Sequence, residues 1–87
     1  VVAFNDVMAI GVMSAAAELR LHVWQDMAQT GFDDTPVIPY LSPPLTSVRQ
    51  PVWEAGQRVS AMLLEIINDR PLERRHVLLE PELVIRA

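Results

Sequence analysis

A short apolar segment followed by a helical pattern constrains the fold more than any other feature. The apolar run Val1–Phe4 stops at Asn5 and Asp6, and such runs are typical of buried strands in a parallel sheet. Asn5 and Asp6 can cap a helix, because their side-chain oxygens accept the free N–H groups of its first turn. Val7–Leu19 then places apolar residues at helical spacing. The segment predicts a β-α unit, in which Gly11 marks close packing rather than a helix end.

Further strand and helix patterns follow, separated by a proline-rich loop. Four prolines in residues 36–44 predict an ordered, irregular loop, since proline cannot donate to a ladder and resists helix. Pro51 lies where a helix would start. The apolar residues after it alternate steps of four and three, which predicts an amphipathic helix; they are Val52, Gly56, Val59, Leu63 and Ile66. The remaining predicted strands are Met27–Phe32, Leu45–Arg49, His76–Leu79 and Leu83–Ile85. The predicted fold class is α/β, in the order β-α-β-loop-β-α-β-β, with a parallel sheet and flanking helices.

The chain is unusually apolar for its length. Hydrophobic residues make up 51% of the 87 residues, and the mean hydropathy is +0.21. A domain this small buries only about 60–65% of the surface that its unfolded chain exposes, so such a composition is typical of a larger core. We therefore expect a piece of a bigger α/β domain, which self-associates, exchanges elements or exposes large apolar patches.

Charge and composition exclude several classes of protein. The formal net charge of −4 argues against a nucleic-acid-binding module, because phosphate contacts need clustered Lys and Arg. The absence of cysteine excludes a disulfide scaffold and a thiolate metal site. The apolar runs are shorter than the roughly 20 residues of a membrane span, and no signal-peptide pattern is visible.

No set of residues indicates catalysis or metal binding. His22 and His76 lie far apart in the sequence and have no ligand-spaced neighbour, so we interpret them as surface histidines. The three glycines, Gly11, Gly31 and Gly56, form no phosphate-binding loop. A nucleophile elbow is also missing. The sequence predicts no enzyme, no metal and no cofactor.

Polar residues do gather at the predicted carboxyl ends of strands, where open α/β sheets bind ligands. Asn5 and Asp6 follow the first strand, Asp33 and Asp34 the second, and Gln50 the third. Adjacent carboxylates on a strand end point in opposite directions, so we assign Asp34 to turn formation and keep Asp33 as a candidate. Carboxylates and amides suit a hydroxyl-rich small molecule. Capping and turn formation remain the alternative.

Four segments carry a resemblance to a known family. Residues 4–11 resemble the "NDxMAxG" motif, residues 30–36 the "GFDDxP" segment, residues 40–51 the "PPLTTVRQP" segment, and residues 75–86 the terminal "LLPxELVxR" strand pair. These are motifs of the lactose/galactose-repressor (LacI/GalR) family, and their order and spacing agree along essentially the whole chain.

The resemblance implies part of a bacterial transcription regulator. Such regulators join a DNA-binding helix-turn-helix headpiece to a two-lobed core that resembles periplasmic sugar-binding proteins of type I. Residues 1–45 would belong mainly to the C-terminal lobe. Residues 46–70 would form a crossover strand and helix of the N-terminal lobe, and residues 71–87 the terminal strands and hinge return. In such a regulator the headpiece alone would bind DNA. These residues do not include the headpiece. The alternative is a fragment of a periplasmic sugar-binding protein of an uptake system.

The resemblance also implies roles for individual residues. Asn5, Asp33 and Gln50 match positions that contact a sugar-like effector. Val52 lies where some members place an aromatic ring, and Trp53 beside it is a substitute, with core packing as the alternative. Three residues fall where the family builds its homodimer interface, with burial inside the domain as the alternative; they are Ile10, Met13 and Tyr40. The expected protein is cytoplasmic and makes no membrane contact. Trp24 and Gln29 depart from the family pattern.

Overall fold

The computed structural model describes residues 1–86. It contains helix α1 (Asp6–Glu18), a 3-10 turn (Ile38–Tyr40), strand β1 (Ser47–Arg49), helix α2 (Val52–Ile67) and strand β2 (Glu82–Val84). Contacts divide the chain into two compact units, one of residues 1–50 with 82–86 and one of residues 51–81. Both predicted helices are therefore present, each within one residue of its predicted start.

Extended segments of the first unit lie side by side in parallel. The Ala3 N–H donates to the Thr30 carbonyl at 2.9 Å, and the Gly31 N–H donates to the Thr46 carbonyl at 2.9 Å. The segment around residue 30 therefore lies between the chain's first residues and β1. These parallel contacts are isolated bridges, whereas the sheet of β1 and β2 is antiparallel.

All five predicted strands need correction. Val1–Phe4 and Met27–Phe32 pair only through single bridges, because each meets its neighbour over one or two residues. The predicted strand Leu45–Arg49 is shortened to β1, and Leu83–Ile85 shifts by one residue to β2. His76–Leu79 is not a strand. A strand exists only where a neighbouring backbone completes its hydrogen bonds, and residues 76–79 find no such partner within residues 1–86.

Helix α1 begins as the sequence predicts. The Asn5 side-chain oxygen accepts a hydrogen bond from the Met8 N–H at 2.9 Å, which identifies Asn5 as the N-cap. Asp6 is the first helical residue and is buried. Gly11 lies inside α1 and not at its end, as the sequence predicts. The prediction that it marks close packing is wrong within residues 1–86, because a Cβ at this position would meet no atom within 4 Å.

The core of the first unit is small. Ala3, Ala9, Ile38 and Leu45 form it. Gln29 is fully buried beside them, and its Nε2 donates to the carbonyl of Ala9 at 2.5 Å. Its Oε1 atom has no partner among residues 1–86. This polar contact joins the middle segment to α1.

Helix α2 leaves its apolar face uncovered in the second unit. None of its described residues is buried, and Val59, Leu63 and Ile66 are 64%, 54% and 55% exposed. Single exposed apolar residues are ordinary, but a continuous row of them is an interaction surface or an aggregation hazard. The exposed face confirms the expectation of large apolar patches. Within residues 1–86, neither helix has the length and apolar character needed to cross a membrane.

Candidate functional site

The parallel segments of the first unit bring the start of α1, the turn at Asp33 and the end of β1 to one edge. The Asp6 N–H donates to the Phe32 carbonyl at 3.0 Å, and the Asp33 N–H donates to the Val48 carbonyl at 2.9 Å. These bonds place the start of α1, the turn at Asp33 and the end of β1 next to one another. This is the arrangement that the sequence predicts for the carboxyl ends of parallel strands.

Asp33 and Gln50 form a polar pair at this edge. The Gln50 Nε2 atom donates to the Asp33 Oδ1 atom at 2.6 Å, and both residues are exposed. The bond uses one carboxylate oxygen and one amide proton, which leaves acceptors on both side chains and a further amide donor. A sugar hydroxyl both donates and accepts, so the pair is suited to holding vicinal hydroxyl groups.

Asn5 and Trp53 take different positions. The Asn5 oxygen is occupied by the helix cap, so its amide N–H groups are the part that remains for a ligand. Trp53 belongs to the second unit and is 82% exposed. It lines an apolar groove with Val52, Gly56 and Leu64. Its assignment to the effector site remains a prediction.

Asp6 is a buried side chain that links the segments of this edge through hydrogen bonds. Its carboxylate is 1% exposed. The Oδ2 atom accepts hydrogen bonds from the N–H and the hydroxyl of Thr35, each at 2.7 Å. The Oδ1 atom accepts from the Ser47 hydroxyl at 2.7 Å. One side chain therefore joins α1, the turn after Asp33 and β1.

Asp34 contacts different side chains from those that Asp33 contacts. Its side chain is 4% exposed and lies 2.7 Å from Arg86 Nη1 and 2.8 Å from Arg49 Nε. The hydrogen bond from Arg86 holds the pKa of the Asp34 carboxyl below its ordinary value; Arg49 adds to this effect and burial opposes it. The carboxylate is therefore ionised and paired at neutral pH.

Sequence reasoning missed two members of this arrangement. We interpreted Asp6 as a helix cap, yet a helix has one N-cap, and the presence of two cap-type residues in succession was the signal that one has another role. Arg86 carried a weaker signal, as a lone cation after an apolar terminal strand. It also donates to the Leu45 carbonyl at 3.0 Å.

The residues assigned to a homodimer interface lie at or near the surface. Ile10 and Tyr40 are 36% and 85% exposed, and Met13 is half-buried. A single chain does not test their role, which remains a prediction. Within residues 1–86, no group of three His, Cys, Asp or Glu side chains is placed to hold a metal ion.

Comparison with known proteins identifies the family. A model of the periplasmic binding protein-like domain matches residues 1–87. The chain belongs to this family. Periplasmic binding protein-like domains also occur in transcription regulators. The HTH-type transcriptional regulator MalR of Streptomyces coelicolor is 44% identical over 87 residues, which is 100% of this chain and 25% of that protein. The chain thus spans about a quarter of the length of the curated relatives it matches.

Solved structures support the same family assignment. A regulatory protein of the LacI family from Chloroflexus aggregans is 50% identical, with a TM-score of 0.91 over 99% of this chain and 31% of that one. A LacI family regulator from Enterococcus faecium, solved with bound ribose, is 28% identical, with a TM-score of 0.89 over 98% of this chain and 32% of that one. These similarities confirm the resemblance to the lactose/galactose-repressor family and favour a regulator over an uptake protein.

Proposed function

We propose that the chain is the effector-binding and dimerisation part of a bacterial transcription regulator, and that its effector is a sugar or a related polyhydroxylated molecule. The exposed Asp33–Gln50 pair supports this proposal, together with the family fold. The pair lies at the edge where the start of α1, the turn at Asp33 and the end of β1 meet, which we name the ligand edge. In the same proposal, residues 1–45 belong mainly to the C-terminal lobe. Residues 46–70 cross to the N-terminal lobe, and residues 71–87 return through the hinge.

The proposed mechanism depends on differential binding. An effector shifts the equilibrium between two closure states of the lobes only if it binds one of them more tightly. That difference changes the affinity of a cytoplasmic regulator for its operator. DNA is contacted by a helix-turn-helix headpiece outside these residues, which agrees with the net charge of −4 here. The chain itself carries out no catalysis in this proposal.

Substitution of Asp33 tests the sugar site. In the full-length protein, Asp33→Asn is expected to weaken sugar binding by about 10- to 100-fold, because a hydrogen bond to a charged group contributes roughly 1.5–3 kcal/mol. Isothermal titration measures the effect with ribose, sucrose and D-xylulose, which are bound in solved structures of similar proteins. Asp69→Asn is the matched control, since Asp69 is another exposed aspartate with positive φ. Equal affinities for Asp33→Asn and the unsubstituted protein would contradict the assignment.

We also propose that α1 contributes to a homodimer interface with Ile10, Met13 and Tyr40. Helix α1 carries apolar residues on all of its sides. A helix of this kind is normally buried all round. In a two-fold interface each contact occurs twice, because residue i of one subunit contacts residue j of the other and j contacts i. Ile10→Glu should therefore place a carboxylate in the apolar interface from both subunits and convert dimer to monomer in sedimentation velocity runs. Gln25→Glu adds the same charge at an exposed turn and should leave the dimer intact. A dimer that persists in Ile10→Glu at low micromolar concentration would rule out this interface.

A further inference from the structure

Asp34 and two arginines form an ion-pair cluster around a buried carboxylate. Asp34 is only 4% exposed, and Arg86 is 14% exposed. Arg49 is 52% exposed and contacts the other carboxylate oxygen. The Asp34 N–H also donates to the Ser47 hydroxyl at 3.0 Å. The turn at residues 33–34 is thus held through both the side chain and the backbone of Asp34.

The cluster is adjacent in sequence to both members of the ligand pair. Asp34 follows Asp33, and Arg49 precedes Gln50. An ion pair between Asp34 and Arg49 therefore fixes the register in which Asp33 meets Gln50.

The backbone at the turn needs such support. Asp33 has φ of 110° and Asp34 has φ of 54°. Non-glycine residues at positive φ are strained and persist only where surrounding contacts determine them. Asp34 provides contacts that hold this conformation, together with the hydrogen bond from the Asp33 N–H to Val48 and the bonds from Thr35 to Asp6.

We propose that Asp34 is a positioning residue for the effector site, which acts through Arg49 and Arg86 to hold Asp33 and Gln50 at hydrogen-bonding distance. The inference rests on the proposed function, because it assigns those two residues to effector binding. Arg86 has a defined part in it. Since its guanidinium also donates to the Leu45 carbonyl, it joins the end of the chain to the segment that leads into β1.

Asp34→Asn in the full-length protein tests the proposal, because the substitution keeps the shape of the side chain and removes its charge. Crystal structures without ligand should show the distance from Asp33 Oδ1 to Gln50 Nε2 rising from 2.6 Å beyond hydrogen-bonding range. Titration with ribose, sucrose and D-xylulose should show at least a tenfold loss for any sugar that the unsubstituted protein binds. Glu82→Gln is the control, because Glu82 lies 3.9 Å from Arg49 but is 72% exposed.

A second variant keeps the test decisive if Asp34→Asn does not fold. Arg49→Gln leaves Asp34 paired with Arg86 and should lengthen the same distance and weaken binding to a smaller extent. A variant that is less thermally stable but keeps the Asp33–Gln50 distance and the sugar affinity overturns the proposal, since that result shows a purely structural role. If the unsubstituted protein binds none of the three sugars, the sugar-effector function fails, while the crystallographic distance still decides the positioning role.

Discussion

Asp6→Ala is expected to destabilise the full-length protein by about 3–5 kcal/mol in urea denaturation. The substitution leaves the Thr35 N–H and the hydroxyls of Thr35 and Ser47 without their acceptor. A buried polar group without a partner costs about 1–3 kcal/mol. The three losses occur together, at a buried Ser47 and a partly buried Thr35, so the expected effect is among the largest of any single substitution in the chain.

Asparagine at position 6 separates the contributions of the Thr35 and Ser47 hydrogen bonds to the free energy of unfolding. Asp6→Asn keeps one acceptor oxygen, and its amide must face either Thr35, which presents a backbone donor, or the rotatable Ser47 hydroxyl. We expect it to face Ser47 and to cost about 1–3 kcal/mol. Glu18→Ala, at the exposed other end of α1, should change stability by less than about 0.5 kcal/mol. A loss below about 1 kcal/mol for Asp6→Ala would show that Asp6 does not hold the edge together.

Gly31→Ala is the second substitution with a large expected effect, of about 3 kcal/mol. A Cβ on Gly31 would overlap the Asp6 Oδ1 atom and would lie 3.0 Å from Leu45 Cδ2. The carboxylate cannot move away without breaking its bond to Ser47. The cost therefore combines overpacking, which is typically 1–3 kcal/mol, with a weakened buried hydrogen bond.

Two other glycines provide matched controls with the opposite sign. A Cβ on Gly11 or Gly56 would meet nothing within 4 Å, and both residues lie inside helices. Gly11→Ala and Gly56→Ala should each stabilise the protein by about 1 kcal/mol through helix propensity alone. Thermal and urea unfolding of the three variants measure the contrast. If Gly31→Ala unfolds at the same denaturant concentration as the two controls, Asp6 does not approach Gly31 closely enough to exclude a Cβ.

Local signals were sufficient to predict the helices and the edge at which Asp33 meets Gln50. Asn5 predicted the start of α1 because a cap needs only its own first turn, and Pro51 predicted the start of α2 for a similar reason. Asp33 and Gln50 could be brought together from the sequence because each follows a parallel segment. This rule requires only that the segments be neighbours.

Features that depend on distant partners could not be predicted. His76–Leu79 has the composition of a strand, but composition does not supply a neighbouring backbone. Asp6 has the appearance of a second cap, and its burial depends on Thr35 and Ser47, which lie 29 and 41 residues away. Gly11 and Gly31 are the same residue type, and only the packing around them distinguishes a permissive position from a forbidden one.

The contacts that build the ligand edge are separated by long stretches of sequence, and this has a kinetic consequence. Closing such loops costs chain entropy before any contact compensates for it, and folds with distant contacts form slowly. Since Arg86 reaches back across 41 residues to Leu45 and pairs with Asp34, a growing polypeptide on the ribosome cannot complete this edge until residue 86 has been synthesised.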